Sequence, residues 1–331
     1  MTIDDVAAAL GVSKATVSRA ITGNGRISSE TRERILYYMD KHNFRPNAIA
    51  QNLAAKQTLN IAFTVPSERE FSEIPFFLRC LIAVSDTASR RSYDVVIVPC
   101  EGSDISGVER VVGNQKVDGV IVSRNTDDSA MLDYLLASGI PFTLIGSTDR
   151  PGVIQIDNDH RGACRELTSR LLDDPGWRGV KLGMLIGSPS YVVNVNRMQG
   201  FMDALREHGM DADDVDIRWD MDEGSLLQAF DEMYFGGVRR FFCADDAICG
   251  YLLHHLHRGV LAAGPGEIRV ASFYNSRSME QFNPDVPTVD FDVDSVGRCT
   301  CDLLIRRMAG EDVPPKTLLG HRIIMNDNVT P

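Results

Sequence analysis

The sequence lacks several features that mark common functional classes. It contains no glycine-rich dinucleotide fingerprint, Walker loop, G-x-S-x-G or H-E-x-x-H motif, so it offers no recognised way to hold a phosphate or activate a nucleophile. No apolar run approaches the ~18 residues that span a membrane, and no secretory signal precedes the first helical pattern. We therefore predict that the chain is not an enzyme, needs no cofactor, does not enter a membrane and acts in the cytoplasm.

Metal-binding patterns are also missing. The seven cysteines form an odd set without C-x-x-C or zinc-finger spacing, and most lie in apolar runs, as reduced and buried thiols of a cytosolic protein do. The only histidine cluster is His254, His255 and His257, of which the first and last can share a helix face. Because no carboxylate or cysteine lies in register with them, we predict no metal site.

Basic charge is scarce over the whole chain, with 34 lysines and arginines against 46 aspartates and glutamates and a net charge of -12. Its distribution is uneven, because residues 1–58 hold eight basic against five acidic side chains and the remainder holds 26 against 41. The N-terminal segment can therefore still bind nucleic acid. A length of 331 residues also exceeds one ordinary core, and at about 150 residues per domain it predicts two or more domains.

Two short helical patterns joined by a glycine open the chain. The apolar face of the first pattern is formed by Ile3, Val6, Ala7 and Leu10. Gly11 can end this helix, and Ser13 can cap a second helix from about Lys14 to Thr22. Val17 and Ile21, four residues apart, then face the first helix, which leaves Lys14, Ala15, Thr16, Ser18 and Arg19 able to point outward. This arrangement indicates a helix-turn-helix whose second helix contacts DNA.

Three motifs lie in order within the first 58 residues: Thr16–Arg19, a predicted third helix from about Ser29 to His42, and Phe44–Leu53. Together they resemble the headpiece of the lactose-repressor family of bacterial transcription regulators. The resemblance implies a DNA-binding headpiece over residues 1–45, a hinge helix and linker over 46–58, and a homodimer on a pseudo-palindromic double-stranded operator. The implied DNA contacts are Thr2, Ser13, Lys14, Ala15, Thr16, Ser18, Arg19, Asn24, Arg26, Asn47, Ala50, Leu53, Ala54 and Lys56.

The hinge segment, Asn47 to Gln57, can form a short helix because Pro46 is tolerated at a first helical position and alanines favour the helix. A helix of this length is marginal in water, so we expect it to order only with DNA and a second copy present. In the family, Leu53 matches a leucine that wedges between base pairs in the minor groove. The alternative is a plain linker leucine.

From Leu59 onward, short apolar runs alternate with helical stretches in two successive halves. The predicted strands are 61–65, 95–98, 117–122, 142–145 and 153–156 in the first half, and 181–186, 215–219, 241–243 and 269–273 in the second. The predicted helices are 76–92, 106–115, 129–138, 194–208, 224–234 and 246–258. This alternation predicts an α/β body of two doubly wound parallel sheets with a cleft between them.

Ligands of such sheets bind beyond the carboxyl ends of the strands, which we call the strand-end rule. The stretches Arg197–Phe201, Asn283–Val289 and Asp294–Gly297 resemble the bilobed, periplasmic-binding-protein-like effector and dimerisation domain of the same family. This implies a first lobe over about 59–157 and 289–318, a second over about 158–288 and 319–331, and a sugar or related small-molecule effector in the cleft. The implied effector contacts are Phe76, Phe77, Ser123, Tyr191, Val193, Arg197, Met221, Asp245 and Tyr274.

Several of these positions depart from the family pattern. Tyr274 stands where sugar-binding relatives usually place an aspartate, and Met221 where a stacking aromatic is common. Tyr191 and Val193 occupy positions that are polar in the purine-responsive member. The familiar sugar or purine therefore cannot be assumed. Two other functions stay open: a regulator controlled by a protein corepressor with no small-molecule ligand, and a solute-binding protein, which would need an export signal.

Overall fold

The computed structural model describes residues 1–23, 25–44, 57–66, 75–100, 104–124, 130–221, 223–257 and 268–325. The chain divides into two compact units, Met1–Thr58 and Leu59–Pro331, which we call the headpiece and the body. In the part of the chain that is described, no helix is both long and apolar enough to cross a membrane.

The described headpiece consists of three helices, α1 (Ile3–Leu10), α2 (Lys14–Thr22) and α3 (Ser29–Lys41). Thr2 and Asp5 form a reciprocal capping box that begins α1, and Gly11 ends it in the left-handed conformation at φ 64°. Ser13 caps α2 by accepting a hydrogen bond from the backbone N–H of Thr16 at 3.1 Å. The predicted extent of α2, its predicted cap at Ser13 and the predicted end of α1 at Gly11 are confirmed.

The headpiece core is small and built from all three helices. Its buried apolar side chains are Val6, Ala7, Val17, Ala20, Ile35 and Met39. Val17 faces this core as predicted, and Ile21 packs against it while half-buried. Complete burial of one such side chain contributes roughly 1.5–3 kcal/mol, so this core fixes the orientation of α2 and leaves its opposite face to solvent.

The first lobe of the body is a six-stranded parallel sheet. Its strands are β1 (Asn60–Val65), β2 (Asp94–Pro99), β3 (Gly119–Val122), β4 (Phe142–Ile145), β5 (Ile154–Asn158) and β11 (Lys316–Leu319), in the order β11-β5-β4-β3-β1-β2. Its helices are α4 (Pro75–Ser89), α5 (Ser106–Gly113), α6 (Ala130–Ser138) and α12 (Val293–Met308). Gly297 of α12 lets that helix approach α4 closely, because an added Cβ would lie 2.8 Å from the Cys80 carbonyl oxygen.

The second lobe holds another six-stranded sheet, in the order β12-β10-β9-β8-β6-β7. Its strands are β6 (Lys181–Leu185), β7 (Val215–Arg218), β8 (Val238–Cys243), β9 (Arg269–Ser272), β10 (Thr288–Phe291) and β12 (His321–Ile324). Its helices are α7 (His160–Asp173), α8 (Val192–Glu207), α9 (Glu223–Phe235), α10 (Asp246–His257) and α11 (Arg277–Phe282). The predicted parallel pairing is confirmed except at one edge of this sheet, where β12 runs antiparallel to β10.

The crossings between the lobes lie slightly later in the chain than predicted. Asn158 still belongs to β5 of the first sheet, although the second lobe was expected to begin there. β10 belongs to the second sheet through its pairing of Thr288 with Ile324, so the return to the first lobe follows Phe291 rather than preceding residue 289. Leu319 pairs with Asn158 in the first sheet, which places the last crossing at Gly320.

Candidate functional site

The exposed face of α2 is the candidate nucleic-acid interface of the headpiece. Ser13, Lys14, Ala15, Ser18 and Arg19 are all exposed, whereas Val17 and Ala20 on the opposite face are buried. The aliphatic part of the Arg19 side chain lies beside Gly25, where an added Cβ would be 3.1 Å from its Cδ. The helix therefore presents a row of short and basic side chains that is narrow enough to enter a major groove.

Some predicted DNA contacts already have partners within the headpiece. The Thr2 hydroxyl accepts a hydrogen bond from the Asp5 amide at 3.2 Å, and the half-buried Thr16 hydroxyl lies 2.8 Å from that of Ser13. Lys14 Nζ lies 2.9 Å from an Asp4 carboxylate oxygen. Such an exposed ion pair contributes only ~0–1 kcal/mol, so Lys14 can exchange it for a phosphate or base.

The remaining predicted DNA contacts divide into one exposed residue and six that the structure does not describe. Arg26 is exposed just after α2. The positions outside the described residues are Asn24, Asn47, Ala50, Leu53, Ala54 and Lys56, and with them the predicted hinge helix.

A cavity of about 390 Å³ lies between the two lobes of the body. This volume is within the range of about 300–1,000 Å³ typical of small-molecule sites. All nine residues predicted to contact an effector line it: Phe76, Phe77, Ser123, Tyr191, Val193, Arg197, Met221, Asp245 and Tyr274. The strand-end rule therefore brings together residues that are far apart in the sequence.

Aromatic side chains form one wall of the cavity. Phe76 and Phe77, at the start of α4, pack edge to face with ring centroids 5.4 Å apart. Phe76 also contacts Tyr274 of the second lobe edge to face at 6.5 Å. Burial raises the pKa of the Tyr274 phenol above its usual value, so the hydroxyl stays protonated at neutral pH. Tyr274 can therefore donate a hydrogen bond, which the aspartate found here in sugar-binding relatives could not do when ionised.

Arg197 places a buried positive charge at the cavity from within α8. Only 7% of the residue is exposed, and its Nε donor has no hydrogen-bond partner in the described part of the chain. A buried charge is costly unless acceptors surround it. A ligand that carries several oxygen acceptors would satisfy this planar set of donors.

A second cluster of polar side chains lines the cavity where β5 ends and α7 begins. The Asp157 carboxylate accepts hydrogen bonds from the Ser147 hydroxyl at 2.7 Å and the Asn158 amide at 2.8 Å. Burial outweighs these bonds and raises the pKa of Asp157 to about 6. His160 Nε2 lies 3.5 Å from the same carboxylate, and burial lowers the pKa of His160 well below 6.5, so the imidazole is neutral.

Two adjacent carboxylates at the start of α10 complete the polar lining. Asp245 caps the helix by accepting a hydrogen bond from the Ile248 amide at 2.9 Å. Burial, reinforced by the charge of Asp245, raises the pKa of Asp246 to about 6. The cavity thus combines carboxylate acceptors with the guanidinium donors of Arg197, a set that suits hydroxyl-bearing ligands.

Eight polar residues that line the cavity are not among the effector contacts predicted from the sequence: Arg124, Ser147, Asp157, His160, Ser188, Asn194, Asp246 and Tyr251. Asp157 and His160 belong to a polar run that directly follows the apolar stretch 153–156, so the same strand-end rule would have found them. Among the residues that are described, no three His, Cys, Asp or Glu side chains group together to hold a metal ion.

Two family descriptions match the chain. "Bacterial regulatory proteins, lacI family" matches residues 2–47, and "Periplasmic binding proteins and sugar binding domain of LacI family" matches residues 58–324. The chain is 27% identical to catabolite control protein A of Staphylococcus xylosus, over 98% of this chain and 97% of that protein. It is also 27% identical to the HTH-type transcriptional regulator CelR of Thermobifida fusca, over 96% and 95%.

Solved structures give the same picture. A complex of the transcriptional regulator CelR with cellobiose is 26% identical and superposes with a TM-score of 0.69, covering 98% of both chains. The lac repressor dimer bound to operator superposes with a TM-score of 0.78 over 98% of this chain and 97% of that chain. At 23% identity, the second match shows a shared fold.

Proposed function

The chain belongs to the LacI family of bacterial regulatory proteins and is a DNA-binding transcription regulator; from this premise we propose that it is a cytoplasmic, non-enzymatic repressor controlled by a small carbohydrate or similar polar metabolite. The observation that carries the proposal is the cavity between the lobes, with Arg197 buried in its wall and its Nε donor without a hydrogen-bond partner among the described residues. Cellobiose is bound by a related regulator, which supports a carbohydrate as the ligand class.

The effector contacts that we propose are the nine cavity residues predicted from the sequence. Arg197 donates hydrogen bonds to ligand oxygens, Asp245 accepts them from ligand hydroxyls, and the rings of Phe76 and Phe77 pack against apolar faces of the ligand. Because the Tyr274 hydroxyl is protonated, the second lobe supplies it as a donor in addition to Arg197. These donors and the carboxylate acceptors of the wall together favour ligands that carry both acceptor oxygens and hydroxyl groups.

The DNA-binding role falls to the exposed face of α2. Lys14 and Arg19 are the basic side chains on this face, and both are long enough to reach base edges or phosphates. We assign base reading to Arg19, because a planar guanidinium can bond to guanine through two donors at once. We expect the hinge helix with Leu53 to act in the minor groove, as the family pattern implies.

A dimer supplies two headpieces for a pseudo-palindromic operator. The first lobe carries an exposed apolar surface suited to this contact: Leu78 and Ile82 lie one helical turn apart on α4, and Ile97 lies on the edge strand β2. They are 46%, 60% and 52% exposed, respectively. Pairing with a second copy would remove these side chains from water.

The test uses the full chain. Selection from a random DNA library should recover pseudo-palindromic sites. Arg19→Ala tests the assigned base reader, and Arg170→Ala, which removes an exposed arginine of the second lobe, is its control.

A panel of mono- and disaccharides, sugar acids and nucleobases should contain a compound that raises the melting temperature of the wild type. Arg197→Met should abolish that shift without abolishing DNA binding. Failure of the entire panel, with DNA binding intact, would instead favour a protein corepressor.

A further inference from the structure

Arg124 contacts aromatic rings from both lobes at the cavity. Its guanidinium carbon lies 4.8 Å from the ring centroid of Phe77, which belongs to α4 of the first lobe. The same atom lies 4.2 Å from the ring centroid of Tyr191, which precedes α8 of the second lobe. Both distances are within the range of about 6 Å over which a cation is attracted to a ring face.

The three side chains also line the effector cavity, so this contact is part of its wall. Arg124 follows β3 and Phe77 is buried within the same lobe, so their contact can persist when the lobes separate. The contact with Tyr191 cannot persist, because its two partners are carried by different lobes. Separation of the lobes must therefore break the stacking of Arg124 on Tyr191.

We propose that Arg124 is a positioning residue of the effector site, which holds the lobes closed over the cavity by stacking on Tyr191. The inference rests on the proposed function only where it calls the cavity an effector site. That Arg124 holds the two lobes together is argued from its contact with Tyr191. A ligand in the cavity would lie beside this contact. Closure of the lobes would then depend on the Arg124 guanidinium, the Tyr191 ring and the ligand together.

The chain contains a matched control pair. The guanidinium carbon of Arg239 lies 4.2 Å from the ring centroid of Tyr234, the same distance as in the interlobe pair. Tyr234 is in α9 and Arg239 is in β8, so both partners belong to the second lobe. Loss of this pair removes an equivalent interaction without touching the contact between the lobes.

The experiment compares amide hydrogen exchange in full-length wild type, Arg124→Met, Tyr191→Leu, Tyr191→Phe and Tyr234→Leu. The segments to follow are 145–148 of the first lobe and 187–194 of the second, which both contribute to the cavity wall. If Arg124 holds the lobes together, Arg124→Met and Tyr191→Leu accelerate exchange in both segments by about threefold or more. Tyr191→Phe keeps the ring face and should match the wild type. Tyr234→Leu should change exchange only near α9 and β8.

Acceleration confined to the second lobe, no acceleration at all, or equal effects of Tyr191→Phe and Tyr191→Leu would each overturn the proposal. Equal acceleration of both segments in Tyr234→Leu would also overturn it, since the response would then be a general loss of stability. If Tyr191→Leu does not fold, Arg124→Met decides the question. Operator binding by the wild type is measured separately, so a failure of the regulator function can be distinguished from a failure of this inference.

Discussion

Asp157→Asn should stabilise the protein more at neutral than at acidic pH. The Asp157 side chain is buried, and burial raises its pKa from the ordinary 3.8 to about 6. A carboxyl whose pKa is raised by folding keeps its proton longer in the folded chain than in the unfolded chain. The folded state therefore loses stability through this group as the pH rises from the unfolded pKa through about 6, and the whole penalty is present above that pH.

The size of the effect follows from the pKa difference. A shift of about two pKa units corresponds to a full penalty of about 3 kcal/mol. Part of this penalty is already present at about pH 5, so the remaining change up to about pH 7.5 is about 1.4 kcal/mol. Asparagine keeps the size of the side chain and one acceptor oxygen, but it cannot ionise. The free energy of unfolding of the variant, relative to wild type, should therefore rise by that amount between the two pH values.

Urea unfolding followed by far-ultraviolet circular dichroism at both pH values measures this difference. Any cost of the lost carboxylate oxygen, which accepts from Ser147 or Asn158, cancels in the comparison because it does not depend on pH. Asp104→Asn is the control: hydrogen bonds from Ser106 lower the pKa of Asp104, which is therefore ionised in folded and unfolded chains across this range. A relative stability of Asp157→Asn that is constant, or that falls as the pH rises, would refute the reasoning.

Three further predictions concern DNA binding and assembly. Arg19→Ala should lose about 1–3 kcal/mol of discrimination against substituted operators, as measured by anisotropy; equal loss on every sequence would make Arg19 a phosphate contact. Leu53→Gly should weaken operator binding at fixed salt concentration while the thermal unfolding of the body stays unchanged, and unaltered affinity would contradict the wedge. Ile82→Asp should raise the dimer dissociation constant by tenfold or more, about 1.4 kcal/mol, and an unchanged sedimentation profile would contradict a dimer contact on α4.

The cavity could be predicted from the sequence because its position is a property of chain order. Each strand of a parallel sheet delivers the residues that follow it to the same edge of that sheet, and this edge of each of the two sheets contributes to the cavity. Ser123 after β3 and Asp245 after β8 therefore line the same cavity although more than a hundred residues separate them. The identity of their partners is not fixed in this way. Arg124 stacks on Tyr191 because of the side-chain conformations at the end of β3 and before α8, and no spacing in the sequence encodes that contact.

The parts of the fold that the sequence did not predict have weak local signals. β10, β11 and β12 each contain four residues, and polar or charged residues interrupt their apolar runs, whereas the equally short β3 and β4 are fully buried and mostly apolar. Helix α7 has an apolar face, but the charged residues between Arg161 and Arg170 weaken its apolar periodicity in the sequence. These elements are fixed by tertiary pairing: β11 completes the first sheet and β12 the second, and both pairings depend on crossings that are remote in sequence.

The cavity contains groups that are costly in the folded chain, and this cost is informative about its use. Ionised Asp157 is penalised by burial, and the Nδ1 atom of His160 and the Nε atom of Arg197 have no partner in the described structure. A core selected only for stability would replace such groups with apolar ones. A ligand can satisfy donors of the second lobe, such as Arg197, and acceptors of the first lobe, such as Asp157, only when the lobes are closed around it. The binding free energy of the ligand therefore differs between the open and closed states of the lobes. That difference is the free energy available for the ligand to change DNA binding by the headpieces.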